Sequence, residues 1–190
     1  MDRVLKAIPT GQLRDQLLFT TLAETGMRIG EALGLRIEDV DLTPDNELLV
    51  VRKPKGHRQR TVVLDDAPRT RLLLKKMLKQ AGAKTGWLFR GDPAKRGKSE
   101  ADGPLTYRAA RARWTTYCTK AGVSATIHQL RHTVGTALIN DGLPHEAVRR
   151  RLGHRSMEMV NRYGQMSDEV LRKHLRERER SRELQFSPSP

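Results

Sequence analysis

One pair of β-rich runs, ELLVVR at 47–52 and RTVVL at 60–64, sits in a chain whose other periodic stretches repeat at helical spacing. The two runs flank KPKGHRQ, where Pro54 and Gly56 punctuate a loop, so they read as a hairpin with a basic tip. DVDL at 39–42 can add a third strand. Elsewhere leucine sets the period. Leu13, Leu17, Leu18 and Leu22 form a helical stripe that Thr10 can cap and Gly26 can end. A short helix over 28–35 turns Leu33 and Leu35 inward, and Leu72, Leu73, Met77 and Leu78 mark another over 67–80. After a polar loop at 91–104 come a basic helix over 105–121, one from Thr126 to Asn140, and one from Pro144 to Leu152 stopped by Gly153. Further helices are predicted over 157–162 and 167–178. The fold class is therefore mainly α, of α+β type, with one small antiparallel three-stranded sheet.

Charge is the second constraint. Lys and Arg number 36 against 22 Asp and Glu, a formal net charge of +14. A folded domain this basic repels itself unless a polyanion is its partner, which points to nucleic acid. An anionic membrane fits less well, because no basic helix carries a strong apolar face. A basic protein with no polyanion partner is the plain alternative. Aromatics are only 4% of the chain, so the core must be built chiefly from Leu, Val, Ile and Ala. The single cysteine, Cys118, rules out an internal disulfide and a cysteine zinc cluster, and it suits a reducing cytoplasm. No run is long and apolar enough to be a transmembrane helix or a signal peptide.

Four motifs carry candidate chemistry. In TGMRIGEALGLR, Arg28 opens a helix and Glu31 lies three residues on, so a carboxylate can pin a guanidinium that faces a phosphate. An ordinary surface pair has the same spacing. The hairpin tip RKPKGHRQR holds Lys53, Lys55, His57, Arg58 and Arg60. These can contact DNA phosphates, and a lysine there, Lys55 before Lys53, can deliver a proton at a scissile phosphate. In HQLRH, His128 and Arg131 share a helix face. His132 and His154 could complete a metal site with His128, but position 129 is Gln where a zincin helix has Glu, and arginines surround the group. In LGHRSMEMVNRY, Gly153 lets the chain turn to present His154, and Tyr163 follows nine residues later. Tyrosine becomes a nucleophile when a base takes its proton and cations hold the phosphate it attacks. Each motif has a bland reading as a packed or solvated group. Together and in this order they suit attack on a phosphodiester, with two arginines and a histidine holding the developing charge.

On TGMRIGEALGL, the Lys55-Gly56 hairpin, HQLRHTVGTALI and LGHRSMEMVNRY, the chain resembles the tyrosine recombinases of the phage integrase family, over about residues 10–175. The resemblance implies that Arg28 and Arg131 clamp the scissile phosphate, supported by Glu31, and that Lys55 protonates the leaving 5′-oxygen. It also implies that His128 handles the tyrosine proton, His154 bonds a non-bridging oxygen and Tyr163 is the nucleophile. The expected activity is site-specific recombination through a 3′-phosphotyrosine, without metal, ATP or other cofactor. Expected partners are double-stranded DNA and further copies of the chain, a tetramer on DNA and a monomer free in solution. Relaxation of supercoils by a type IB topoisomerase, a non-catalytic DNA-binding module and a metal-dependent nuclease are the alternatives. The expected layout is a catalytic domain over 1–178 and a tail over 179–190 that can dock on a neighbouring copy. The expected layout does not include the family's N-terminal clamping domain.

Overall fold

The structure is a computed structural model that describes residues 1–52, 59–92, 103–153 and 176. The chain divides into two compact units, Met1–Val134 and Gly135–Pro190.

In the first unit the helices are α1 (Asp2–Lys6), α2 (Leu13–Thr25), α3 (Ile29–Leu33), α4 (Pro68–Ala81), α5 (Tyr107–Ala121) and the first two turns of α6 (Ile127–Asn140). A 3₁₀ turn (Ile37–Asp39) leads into the strands β1 (Val40–Asp41), β2 (Leu48–Val51) and β3 (Arg60–Val63). The sheet is antiparallel in the order β1-β2-β3, with Leu49 opposite Val62 and Val51 opposite Arg60. Alternation puts Leu49, Val51 and Val62 in the core and leaves Val63 half exposed. The helical core with its three-stranded sheet is the architecture that the hairpin and the leucine spacing predict.

Helix α2 is the central element of the first unit. Leu17, Leu18, Phe19 and Leu22 are buried, and α2 packs on α4. Phe19 meets Trp114 of α5 with ring centroids 4.9 Å apart, and the Trp114 indole donates to the Ala125 carbonyl at 2.8 Å. The helix ends at Gly26, whose φ of 65° is left-handed and whose N–H returns to the Leu22 carbonyl.

The structure also corrects several details. Helix α2 starts after Gln12, not at a Thr10 cap, and Thr10 lies in a turn closed by the Gln12 N–H on the Pro9 carbonyl. Helix α1 has five residues and one fully buried apolar side chain, Val4, too little for a periodic signal. In α4, Leu72 points outward at 56% exposure, while Leu74, in line with the buried Thr70, is inside. In α5 the buried residues are Ala110, Trp114, Tyr117 and Cys118, and Ala112 faces solvent. Thr106 caps α5 by accepting from the Ala109 N–H.

A buried charge network ties α2 to α5. The Asp15 carboxylate has no exposure and accepts from Tyr117 Oη at 2.6 Å, Arg113 Nη1 at 2.9 Å and Arg14 Nε at 3.3 Å. Arg14 and Arg113 also bind Asp92. Burial, together with the Asp15 hydrogen bond, pushes the Tyr117 phenol up to about 12, so it stays a donor.

In the second unit, α6 ends at a turn in which Gly142 has a φ of 78°. Helix α7 (His145–Leu152) follows Pro144 and stops at Gly153, as the sequence predicts. Leu138, Ile139, Val148 and Leu152 are buried. Among the described residues, no helix is long and apolar enough to cross a membrane. The predicted helices over 157–162 and 167–178 (Arg176 excepted), the tail over 179–190 and most of the 91–104 loop lie outside the described residues.

Breaking the Asp15 network removes hydrogen bonds from a buried acceptor, while Arg14 and Arg113 keep Asp92. Asp15→Ala, which takes the acceptor from three donors at once, is expected to lower unfolding stability by about 3 kcal/mol or more, and Tyr117→Phe, which removes one donor, by about 1–3 kcal/mol. Urea unfolding of the two variants beside the parent checks both values and their order.

Candidate phosphate-binding cleft

The turn from α2 to α3 and the start of α6 open a cleft of about 690 Å³. Arg28, Glu31, Arg52, Tyr107, His128 and Arg131 are among its lining residues, and all belong to the first unit.

Arg28 is the residue before α3, with extended backbone (φ −72°, ψ 143°). Its N–H is one of the donors a helix start leaves without an intrahelical acceptor. Glu31 at the third position of α3 takes it, Oε2 accepting at 2.9 Å. The other oxygen accepts from Arg28 Nη1 at 3.2 Å. One carboxylate thus fixes both the backbone and the guanidinium of Arg28, whose side chain stays 38% exposed. Arg60, the first residue of β3, binds the same carboxylate, with Nη2 on Oε2 at 2.7 Å and Nε on Oε1 at 3.4 Å. Its side chain is only 14% exposed. Burial pushes the Glu31 carboxyl up, but hydrogen bonds and charge from Arg60 and Arg28 outweigh it, and the group lies below its ordinary value.

Arg131 reaches the cleft from α6. It is buried, and its Nη1 donates to the Gly26 carbonyl at 2.6 Å. The glycine turn that ends α2 therefore also provides the acceptor that orients the second guanidinium. One helical turn earlier, His128 lies at the exposed lip, with the His132 ring 4.8 Å away and edge-on. Partial withdrawal from water lowers the His128 pKa below 6.5, and the charges of His132, Arg131 and Arg28 act in the same direction. The shift favours the neutral imidazole, the form that can accept a proton. Gln129, at the position where a zincin helix has Glu, accepts from the Thr126 N–H at the start of α6. Among the described residues no three His, Cys, Asp or Glu side chains converge as metal ligands.

The structure thus brings Arg28, Glu31, His128 and Arg131 together. Lys53, Lys55, His57, Arg58, His154 and Tyr163 lie outside the described residues. Arg60, expected as a DNA contact, is turned onto Glu31 because strand pairing fixes its backbone opposite Val51, within reach of that carboxylate. Two lining residues went unnoticed in the sequence. Arg52, the last residue before the tip, is held by the buried Asp39 carboxylate. Tyr107 opens α5 and is 54% exposed. The Asp39 carboxylate also accepts from the Arg36 N–H, a cap whose three-residue spacing is visible in RIED. Nothing local marks Tyr107.

Comparison with known proteins identifies the family and the fold. The phage integrase family profile matches residues 1–169. The chain belongs to that family. Tyrosine recombinase XerC of Bacillus subtilis is 33% identical over 86% of this chain and 53% of its own length. Tyrosine recombinase XerA of Thermococcus kodakarensis is 31% identical over 91% of this chain and 58% of its own length. The chain therefore spans little more than half of these relatives. The crystal structure of XerA recombinase superposes with a TM-score of 0.74 at 25% identity, covering all of this chain and 62% of that one. The site-specific recombinase XerH, bound to palindromic difH substrate in a post-cleavage complex, gives 0.70 at 26% identity over 85% of this chain and 46% of its own. The fold is that of tyrosine recombinase catalytic domains.

Because the folded state holds the Glu31 carboxyl below its ordinary 4.5, ionised Glu31 stabilises the protein above that pH, and the contribution is lost as pH falls through the lowered value. Glu31→Gln is therefore expected to be less stable than the parent at pH 7, with the gap closing as pH drops below 4.5. Urea unfolding of both proteins across this range checks the sign.

Proposed function

We propose that this chain carries the catalytic centre of a site-specific DNA recombinase that cuts and rejoins double-stranded DNA through a covalent 3′-phosphotyrosine. The observation that carries the reading is the meeting of Arg28, Arg131 and His128 in one cleft, in a member of the phage integrase family. The DNA-bound recombinase XerH supports duplex DNA as the partner, and the net charge of +14 suits the phosphate backbone.

In this reading the Tyr163 hydroxyl attacks the scissile phosphorus. His128 takes the phenolic proton as the Tyr163 oxygen–phosphorus bond forms. The bond to the 5′-oxygen breaks, and Lys55 protonates that oxygen as it leaves. Arg28, Arg131 and His154 hold the charge on the non-bridging oxygens. The phosphotyrosine ester conserves the energy of the cleaved bond, so an incoming 5′-hydroxyl reverses the step without ATP. Two guanidinium groups supply the positive charge that a metal provides in other phosphoryl-transfer sites. The Glu31 carboxylate and the Gly26 carbonyl orient the two arginines within the fold itself, which lowers the cost of organising the site during reaction.

The test uses the full chain with a pool of nicked duplexes of randomised core sequence and a chelator. A protein–DNA adduct that survives SDS is expected, and sequencing the captured DNA gives the preferred site. The adduct should vanish in Tyr163→Phe. Loss in Tyr107→Phe instead would move the nucleophile to the tyrosine that lines the cleft. Arg28→Ala and Arg131→Ala should each slow adduct formation by about 10²–10³-fold. No adduct under any condition would leave a DNA-binding module, and chelator-sensitive cutting would indicate a nuclease.

The lowered His128 pKa also fixes the sign of a pH effect. The adduct-forming rate should hold steady from pH 8 down to about 6.5 and fall below it, as the imidazole gains its proton. The acid limb should be absent in His128→Gln. An identical limb in that variant would assign the titration to another group.

A further inference from the structure

We infer that Arg60 is a positioning residue for the first arginine of the cleft, acting through Glu31, and not a DNA contact. The inference rests on the recombinase reading above and deepens it.

A carboxylate beside a phosphate-binding arginine has two opposed effects. It fixes the guanidinium, but its own negative charge repels the phosphate and cancels the arginine's attraction. Glu31 and Arg28 alone would present a neutral pair to the scissile group. Arg60 changes that balance. It makes the shorter ion pair, at 2.7 Å against 3.2 Å for Arg28, and engages both carboxylate oxygens. The three groups together keep one net positive charge. Arg28 also has the more exposed side chain, 38% against 14% for Arg60. Glu31 is thereby a hinge-pin for Arg28 whose charge is met by Arg60, and the cleft retains its attraction for phosphate.

The backbone makes the arrangement stiff. Arg60 opens β3 in register with Val51, so strand pairing sets where its side chain starts. Glu31 is the third residue of α3 and caps that helix on the Arg28 N–H. Arg60 therefore joins the hairpin to the helix start that presents Arg28. Without it the carboxylate would turn fully to the Arg28 guanidinium, the nearest remaining cation bound to it.

The experiment compares the full chain with Arg60→Ala on the duplex selected by covalent capture, and on the same duplex with a methylphosphonate at the scissile position. The methyl group removes the charge that Arg28 is there to meet. Arg60→Ala should slow adduct formation on the phosphodiester by at least about tenfold, part of what loss of a whole donor costs. DNA affinity and its salt dependence should be almost unchanged. On the methylphosphonate the difference from the parent should shrink severalfold, as it should for Arg28→Ala. Arg60→Lys, which keeps a cation on Glu31, should restore most of the phosphodiester rate. Arg60→Gln, which keeps a hydrogen bond without the charge, should not, and this pair stands in where Arg60→Ala fails to fold by thermal melting. An unchanged rate with weaker binding and a salt slope lower by about one would make Arg60 a phosphate contact. A defect of equal size on both substrates would also overturn the assignment. If the parent forms no adduct with any duplex, it is the recombinase reading that fails.

Discussion

Two guanidinium groups must share one cleft, and like charges at close range repel. The structure meets this constraint by giving each arginine its own acceptor. Arg28 is pinned by the Glu31 carboxylate and Arg131 by the Gly26 carbonyl. Both acceptors lie around the short turn between α2 and α3, so one piece of backbone orients both groups. The rest of the first unit serves to hold that turn. Helix α2 is buried along Leu17, Leu18, Phe19 and Leu22, and its end is set by a left-handed glycine. Helix α6 brings Arg131 to the carbonyl that this glycine leaves open.

The ion pairs of the first unit differ in what they do. Asp15, with no exposure, is surrounded by donors from α2 and α5 and ties those helices together. Glu31 and Asp39 instead sit next to cleft arginines, which remain partly exposed. A buried carboxylate at the root of an exposed guanidinium restricts the side chain without removing its charge from solvent. The same chemistry thus holds the scaffold in one place and aims cations in another. His128 adds the complementary property. Partial burial lowers its pKa, and the nearby charges of His132, Arg131 and Arg28 act in the same direction, which favours the unprotonated imidazole.

Much of this was legible along the chain. Leucine spacing marked the long helices, and two β-rich runs around a Pro-Gly loop marked the hairpin. The three-residue spacings Arg28–Glu31 and His128–Arg131 predict that each pair shares a helix face. Other features were hidden for identifiable reasons. Helix α1 is shorter than two turns, so no period exists to detect. Leu72 and Leu74 are both apolar at neighbouring positions, and only packing against α2 decides which of them faces in. Arg60 and Arg52 flank the same basic tip, and Arg60 read as a DNA contact, since nothing local shows that Glu31 and Asp39 wait across the fold.

The sequence by itself determined the helical class, the single small sheet and the residue types that a phosphate-handling cleft needs. Those features follow from short-range periodicity and from chemistry that each side chain carries wherever it lies. Only the tertiary structure decided which cation faces the cleft and which is spent on a neighbouring carboxylate. That choice separates Arg28 from Arg60, 32 residues apart in a chain where both are simply arginines near a glycine-rich turn or a hairpin. It depends on the distance between charged groups brought together by strand register and helix packing, and Coulomb interactions are set by that distance, not by position along the chain.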